Sequence, residues 1–217
     1  MIGKHEICKM DLLIVAATKL EIAPFLATNH KADVLITGVG IPATIFHLNQ
    51  KLSQAKYDLV IQAGIAGTIR EPFEKTAVFV IESDVFADIG VDEKGNFKTL
   101  FELGFMDENE FPYKSGWLKN EQDLIKKLNL PVVKAITVNR ITDDKNYLKK
   151  LFEKFNADIE SMEGAAFHYV CLLRKANFVQ IRSISNIVGE RDKTKWKMNE
   201  AIASLNNELE KLIQQLN

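Results

Sequence analysis

Cysteine and histidine are scarce in this sequence, which holds two cysteines and four histidines in 217 residues. Cys8 and Cys171 are too few to supply a disulfide framework or a cysteine-based metal site. Cys171 falls on a predicted helix, where a small core side chain is the expected role. The histidines occur without any HExxH or CxxC pairing, at His5, His30, His47 and His168. We therefore expect no metal site.

The sequence also has little net charge and no long apolar segment. Its formal net charge of -1 argues against nucleic acid or an anionic membrane as the main partner. The N-terminal residues (MIGKHEICKM) show neither a signal peptide nor a membrane span, which makes the cytoplasm the expected location. Neither a GxSxG elbow nor a Walker loop occurs. Because 47% of the residues are hydrophobic and 26% are charged, we expect one globular α/β domain over residues 1–217.

Apolar runs alternate with helical patterns along most of the chain. Strands are predicted at Leu12 to Ala17, Val34 to Thr37, Leu59 to Gln62, Ala77 to Ile81, Val132 to Val138 and Phe178 to Ile184. Helices are predicted to begin near Ile22, at Pro42, at about Lys145, at Met162–Glu163 and before the amphipathic C-terminal stripe. This alternation indicates a mostly parallel sheet. The aromatic segment at residues 84–120 interrupts the pattern and is expected to be a lid or a subunit contact, with a plain surface excursion as the alternative.

Two stretches place polar side chains where a predicted strand ends. Glu163 lies at a strand-to-helix junction, where open α/β sheets bind ligands, and a carboxylate there suits the two hydroxyls of a ribose. The alternative is that Glu160 and Glu163 are acids favoured by the helix dipole. Asn186 ends the last predicted strand and either reads a ligand or caps a turn.

Glu21 and two glycine motifs follow the first three predicted strands. Glu21 is either a functional carboxylate or an ordinary acid near a helix N-terminus. The motifs GVG (38–40) and GIAG (64–67) either let a ligand approach backbone N–H groups or only permit tight turns and close packing.

Taken in order, Glu21, GVG, GIAG, ESMEGAA (160–166) and ISN (184–186) resemble the nucleoside phosphorylase and nucleosidase superfamily over nearly the whole chain. Within it, LGFMDENEFPY (103–113) and SNIVGERDKTKW (185–196) are similar to segments of the futalosine hydrolases. The resemblance implies a three-layer α/β/α fold around a mixed, twisted sheet. It also implies a homodimer or a higher homo-oligomer, in which the aromatic segment can complete a neighbour's pocket. No cofactor is implied.

The resemblance assigns roles to individual residues. Glu21 matches the acid that activates the attacking water, and Asn186 matches the residue that faces N7 and the six-position of a purine. The implied substrate-binding residues are Gly64, Ile65 and Ala66 of the GIAG motif, Val138 and Asn139 beside the base, and Met162 and Glu163 around the ribose.

Two departures from the superfamily pattern refine the implied activity. Phosphorolytic members often place an Arg and a Ser where this chain has Gln62 and Ile65, so water is the favoured nucleophile. Methylthioadenosine/adenosylhomocysteine nucleosidases carry Asp at the position of Asn186. An amide both donates and accepts, which suits a 6-oxopurine and a leaving group stabilised by hydrogen bonding rather than by a general acid.

The resemblance therefore implies hydrolysis of futalosine to hypoxanthine and dehypoxanthine futalosine, in menaquinone biosynthesis. Arg191 is the candidate partner of the aromatic carboxylate of futalosine, unless its loop is only a solvated charged surface. The main alternative is a methylthioadenosine/adenosylhomocysteine or aminofutalosine nucleosidase. A phosphorylase is disfavoured by Gln62 and Ile65, and a nucleoside-binding protein is disfavoured because Glu21 and Glu163 are both present.

Overall fold

The computed structural model describes residues 10–69 and 74–216, so residues 1–9 of the N-terminal stretch, with His5 and Cys8, lie outside it. The strands are β1 (Leu12–Ala16), β2 (Asp33–Ile36), β3 (Leu59–Thr68), β4 (Val78–Phe86), β5 (Gly90–Glu93), β6 (Asn96–Thr99), β7 (Leu118–Lys119), β8 (Val132–Thr137), β9 (Ile159–Ser161) and β10 (Phe178–Ile187). The helices are α1 (Ala23–Leu26), α2 (Ile41–Gln54), α3 (Asp123–Lys127), α4 (Lys145–Phe155), α5 (Gly164–Arg174) and α6 (Met198–Leu216). Within these ranges, no helix is both long and apolar enough to cross a membrane.

Strand β1 is apolar throughout because both of its faces are covered by helices. Successive side chains of a strand point to opposite faces. Leu12, Ile14 and Ala16 pack in the core cluster that includes Leu205 and Leu209 of α6. The alternate side chains, Leu13 and Val15, pack in a second cluster with Leu48 of α2 and Phe167 of α5. The sheet is therefore the middle of three layers, as a strand buried on both faces requires.

The sheet is mixed, and part of it closes on itself. Strands β10, β4, β8, β9 and β3 pair in that order, and β3 pairs back to β10. Three of the described pairings in this sheet are antiparallel, namely β10 with β4, β3 with β9 and β4 with β7. The closed part encloses a cluster with a member from each of the five strands, which includes Ala66, Ile81, Ala135, Ile159 and Ile184. The three-layer fold with a mixed sheet is thus confirmed, whereas the strand–helix alternation alone predicted neither the antiparallel pairs nor the closure.

Strands β3 and β10 are longer than the sequence pattern predicts. β3 continues through the GIAG motif to Thr68, and β10 continues past Ile184 to Ile187. The two strands pair with each other along this extra length, so sheet pairing overrides the low strand propensity of glycine and alanine. Gly64 and Gly67 are therefore strand residues rather than parts of a turn.

The aromatic segment contains more regular structure than the sequence indicates. β4 extends to Phe86, β5 and β6 form an antiparallel hairpin, and β7 adds to β4. Phe105 and Phe111 are exposed. The short helix α3, which follows the segment, was not predicted either.

Candidate active site

A cavity of about 280 Å³ lies where β3, β9 and β10 meet the turn after β1. Seven of the residues singled out from the sequence line it: Glu21, Ile65, Ala66, Met162, Glu163, Asn186 and Arg191. They come from segments far apart in the chain, and the sheet brings them together at one edge. This is the place where α/β sheets bind ligands.

Glu21 lies in the turn that follows β1 and is 7% exposed. Its Oε2 accepts hydrogen bonds from the backbone N and the Oγ1 of Thr18, at 2.9 and 3.0 Å. Its Oε1 accepts from the backbone N of Ile65 at 3.2 Å. A carboxylate has about four lone-pair sites. Three are used here, so one remains for a ligand or a water in the cavity.

Glu163 occupies the N-cap of α5 but makes no capping bond to its own helix. Its Oε1 accepts from the backbone N of Gly40 at 3.0 Å, and its Oε2 lies 3.7 Å from Nη1 of Arg182. Burial raises the pKa of Glu163, while the guanidinium of Arg182 and the Gly40 N–H oppose that rise. The carboxyl group is thus fixed from two sides and points at the cavity instead of at its own helix.

Arg182, in the middle of β10, is a functional candidate that the sequence analysis missed. It is 1% exposed, and its Nη2 donates to Oε1 of Gln62 at 3.0 Å. A charged residue inside an apolar strand (FVQIRSISN) was the available signal, since arginine is rarely buried without a partner. The guanidinium places a positive charge beside the carboxylate of Glu163, at 3.7 Å.

Gly64 explains how Arg182 reaches this position. A Cβ on Gly64 would lie 2.1 Å from Nη1 of Arg182 and 3.1 Å from Oε1 of Glu21. The guanidinium and the Glu21 carboxylate therefore converge on the space that any side chain at position 64 would fill. Gly64 does not line the cavity itself, but it keeps this space open.

Asn186 lies at the end of β10 with its amide held in one orientation. Its Nδ2 donates to the backbone O of Ile187 at 2.9 Å, and its Oδ1 accepts from Oγ of Ser185 at 2.8 Å. A carbonyl oxygen can only accept, so the atom that faces Ile187 must be the amide nitrogen. One N–H and one lone pair of the amide remain for a ligand.

Two members of the segment expected beside the base lie outside the cavity wall. Val138 is buried in the core cluster formed with Ile136, Leu148 and Phe152. The Oδ1 of Asn139 accepts from the backbone N of Ile41 at 3.3 Å. The residue of this segment that does line the cavity is Ile141.

Glu160 is a further carboxyl in the cavity wall, and no ligand role was predicted for it from the sequence. It is 9% exposed, and no hydrogen bond or ion pair reaches its carboxyl group from the residues the structure describes. Burial, reinforced by the charge of Asp88, raises its pKa to about 7. Across the described ranges, no group of three His, Cys, Asp or Glu residues is arranged to hold a metal ion.

Comparisons with known proteins identify the family of the chain and several relatives. Residues 18–216 match the family model described as the phosphorylase superfamily. The chain is 28% identical to a futalosine hydrolase of Thermus thermophilus, over 93% of this chain and 94% of that one. It superposes on a Helicobacter pylori mutant of 5′-methylthioadenosine/S-adenosylhomocysteine nucleosidase, which holds 5′-methylthioadenosine in its active site, with a TM-score of 0.78, 15% identity and coverage of 95% and 99%. It also superposes on the futalosine hydrolase of Helicobacter pylori, with a TM-score of 0.73, 14% identity and coverage of 94% and 97%.

Proposed function

The chain belongs to the phosphorylase superfamily, and we propose on that basis that it hydrolyses the N-glycosidic bond of futalosine. The products are hypoxanthine and dehypoxanthine futalosine, within menaquinone biosynthesis. The curated relatives that match along most of the chain, at 26–28% identity, are futalosine hydrolases.

The surroundings of Glu21 carry the proposal of hydrolysis rather than phosphorolysis. The Ile65 N–H, which belongs to the stretch where a phosphate would be held, is already donated to Oε1 of Glu21. A carboxylate at this point repels a phosphate dianion and attracts a water molecule. The cation nearest to Gln62, Arg182, is buried and engaged with Gln62 and Glu163. The site is therefore suited to water as the nucleophile.

In the proposed reaction the C–N bond to the base breaks while positive charge grows on the ribose. Glu163 accepts hydrogen bonds from the ribose hydroxyls, and its negative charge faces the developing oxocarbenium ion. Glu21 uses its remaining lone pair to take a proton from the attacking water. A positioned base of this kind contributes about 10²–10⁴ in rate.

Asn186 is proposed to stabilise the departing base. Its free N–H can donate to N7 or O6 of hypoxanthine, where negative charge collects as the bond breaks. An amide does not titrate, so the proton that the base finally needs comes from water.

We further propose that the protein is cytoplasmic and assembles as a homodimer or a larger homo-oligomer. No residue of the aromatic segment at 84–120 lines the described part of the cavity. Phe105 and Phe111 are 73% and 63% exposed. These observations favour a subunit contact over a lid on the chain's own cavity.

The test is release of free base in phosphate-free buffer from futalosine, aminofutalosine, inosine and methylthioadenosine in parallel. We expect rapid release of hypoxanthine from futalosine and slow release from the others. Preferential release of adenine would move the protein to the adenosylhomocysteine nucleosidase branch, and strict dependence on added phosphate would replace hydrolysis by phosphorolysis.

A further inference from the structure

We propose that Glu160 selects the base by accepting the N1–H that a 6-oxopurine carries and a 6-aminopurine lacks, from the opposite side of the slot to Asn186. This inference rests on the proposed function, because it assigns the base specificity of the same site.

Glu160 and Asn186 face each other across a glycine. In the sheet, Gly67 is aligned with Glu160 of β9 on one side and with Asn186 of β10 on the other. Side chains of aligned residues on neighbouring strands share a face, and the strands lie about 5 Å apart, so the two Cα atoms are about 10 Å apart. Both residues line the cavity. Glu160, Gly67 and Asn186 thus form a slot that has a polar side chain at each end and no side chain on its floor, where Gly67 lies.

Gly67 is required for this floor. A Cβ there would lie 2.8 Å from Cγ2 of Val188 and 3.3 Å from Nδ2 of Asn186. Any larger residue at position 67 would therefore push into the amide of Asn186. A flat base can lie over the glycine with one edge toward each polar side chain.

The carboxyl group of Glu160 is available for a ligand. Only 9% of Glu160 is exposed, and the described residues give its carboxyl group no hydrogen-bond partner. Buried polar groups are normally paired, so an unpaired carboxyl in a cavity wall indicates a missing donor. Glu160 has charged or titratable neighbours on two sides. Toward β4 and α4 they are Asp88, Tyr147 and Arg140. At the rim of the cavity they are Glu190 and Arg191.

The two purines differ in what they offer to this pair of side chains. Hypoxanthine presents acceptors at N7 and O6 and a donor at N1, whereas adenine presents a donor at its amino group and an acceptor at N1. An ionised Glu160 accepts from N1–H of hypoxanthine and repels the N1 lone pair of adenine. A protonated Glu160 donates to N1 of adenine instead. Base preference should thus follow the protonation state of Glu160.

The pH dependence of selectivity provides the test. Burial raises the pKa of Glu160 to about 7. The ratio of kcat/KM for futalosine to kcat/KM for aminofutalosine should rise about tenfold or more as pH increases from about 6 to 8. A ratio is the right measurement because any effect of pH on the hydrolytic step that both substrates share cancels in it.

Glu160→Gln is the decisive variant, because a neutral amide can accept from N1–H or donate to N1. We expect it to lower the ratio about tenfold or more at pH 8 and to remove its pH dependence. Glu190→Gln, which changes another acid of the same cavity, should keep the pH dependence. An unchanged ratio and pH profile in Glu160→Gln would overturn the proposal.

A failure of the proposed function gives a different result. If neither nucleoside is hydrolysed, calorimetric binding of free hypoxanthine and adenine to the same proteins replaces the rates. Tighter binding of hypoxanthine at pH 8 that disappears in Glu160→Gln would support the role of Glu160 without the hydrolase. Equal effects of the variant on both bases would refute it.

Discussion

At the scale of single residues, the buried guanidinium of Arg182 lies beside one of the two candidate carboxylates. Arg182 lies 3.7 Å from Glu163, while Glu21 is held by the N–H groups of Thr18 and Ile65 and by the Thr18 hydroxyl. These three groups alone carry an excess of one negative charge when both acids are ionised. Such an excess favours the positive charge that grows on the ribose in the transition state over the uncharged ribose of the substrate, which is the condition for catalysis.

Glu21→Gln tests whether this charge acts on the chemical step. We expect turnover of futalosine to fall by about 10²–10⁴, because an amide cannot take the proton of the attacking water. Binding of the intact nucleoside, measured by calorimetry, should change only a few-fold. A nucleoside-binding protein would instead show no turnover before the substitution and little change after it. Thermal denaturation of the variant checks that the fold survives, since the amide must face one of the donors now bound to Glu21.

Arg191→Ala tests recognition of the 5′ substituent. Arg191 is exposed at the rim of the cavity and makes no ion pair with another described residue. We expect the KM for futalosine to rise about tenfold, because one charge-assisted hydrogen bond to its carboxylate is lost, and the KM for inosine to stay the same. Lys193→Ala, in the same loop but outside the cavity wall, is the matched control. An equal change in both KM values would leave Arg191 with no role in recognition.

At the scale of the elements, the first turn of α5 lies against buried polar side chains of the sheet. A Cβ on Gly164 would lie 2.1 Å from Oδ2 of Asp84 and 2.3 Å from Nε2 of Gln180. The neighbouring backbone N of Ala165 donates to Oγ1 of Thr137 at 2.7 Å. This close approach is what holds Glu163, the preceding residue, at the cavity.

Gly164→Ala therefore gives a prediction opposite to helix propensity. Alanine is favoured over glycine by about 1 kcal/mol in a helix interior. We nevertheless expect a loss of about 1–3 kcal/mol in the free energy of unfolding, because the methyl group overlaps Asp84 and Gln180. Urea denaturation measures it, and Ala203→Gly on the exposed face of α6 calibrates the propensity effect. A Gly164→Ala protein as stable as the parent would show that α5 can move away from the sheet.

The same elements show which features could be predicted from sequence. Three of the site residues stand where an apolar run of the sequence ends, namely Glu21, Glu163 and Asn186. This pattern is local, so the sequence alone reveals it, and the structure brings all three residues into one cavity. Arg182 and Glu160 were missed because their surroundings are made by neighbouring strands, through a register that no local pattern encodes. The extra length of β3 was missed for the same reason, since its glycines and alanines form strand only because β9 and β10 pair with them.

At the scale of the whole molecule, the exposed aromatic residues bear on assembly. We expect the mass in solution, measured by light scattering, to be that of a dimer or a larger oligomer. Phe105→Glu should shift the mass toward the monomer, because a buried charge destabilises an apolar contact. Leu173→Glu, an exposed apolar residue of α5, is the control. A parent protein that is monomeric at all concentrations would contradict the proposed assembly.

Two fully buried titratable groups in the core give the stability of the molecule opposite dependences on pH. Burial raises the pKa of Asp84 to about 7, so the folded state holds a proton that the unfolded state releases above pH 3.8. The stability that this proton contributes to the folded state is lost as pH rises toward 7. Burial lowers the pKa of His168 to about 4, from an unfolded value of 6.5. Its contribution is lost as pH falls from 6.5 to 4, because the unfolded state then binds the extra proton.

His168→Gln should remove one of these two dependences. The Nδ1 of His168 lies 3.0 Å from the backbone O of Leu118, and glutamine replaces the imidazole by a neutral amide that does not titrate. The variant should be less stable than the parent at pH 7 through altered packing. That deficit should shrink by about 3 kcal/mol as pH falls to 4, because only the parent's unfolded state gains a proton there. Urea denaturation between pH 4 and 7 at a fixed protein concentration measures the difference.

Cys171→Ala, in the same helix, is the control. It removes a buried thiol whose pKa burial raises, so the loss of stability in this variant should be constant between pH 4 and 7. A constant deficit for His168→Gln as well would mean that His168 does not couple the fold to pH.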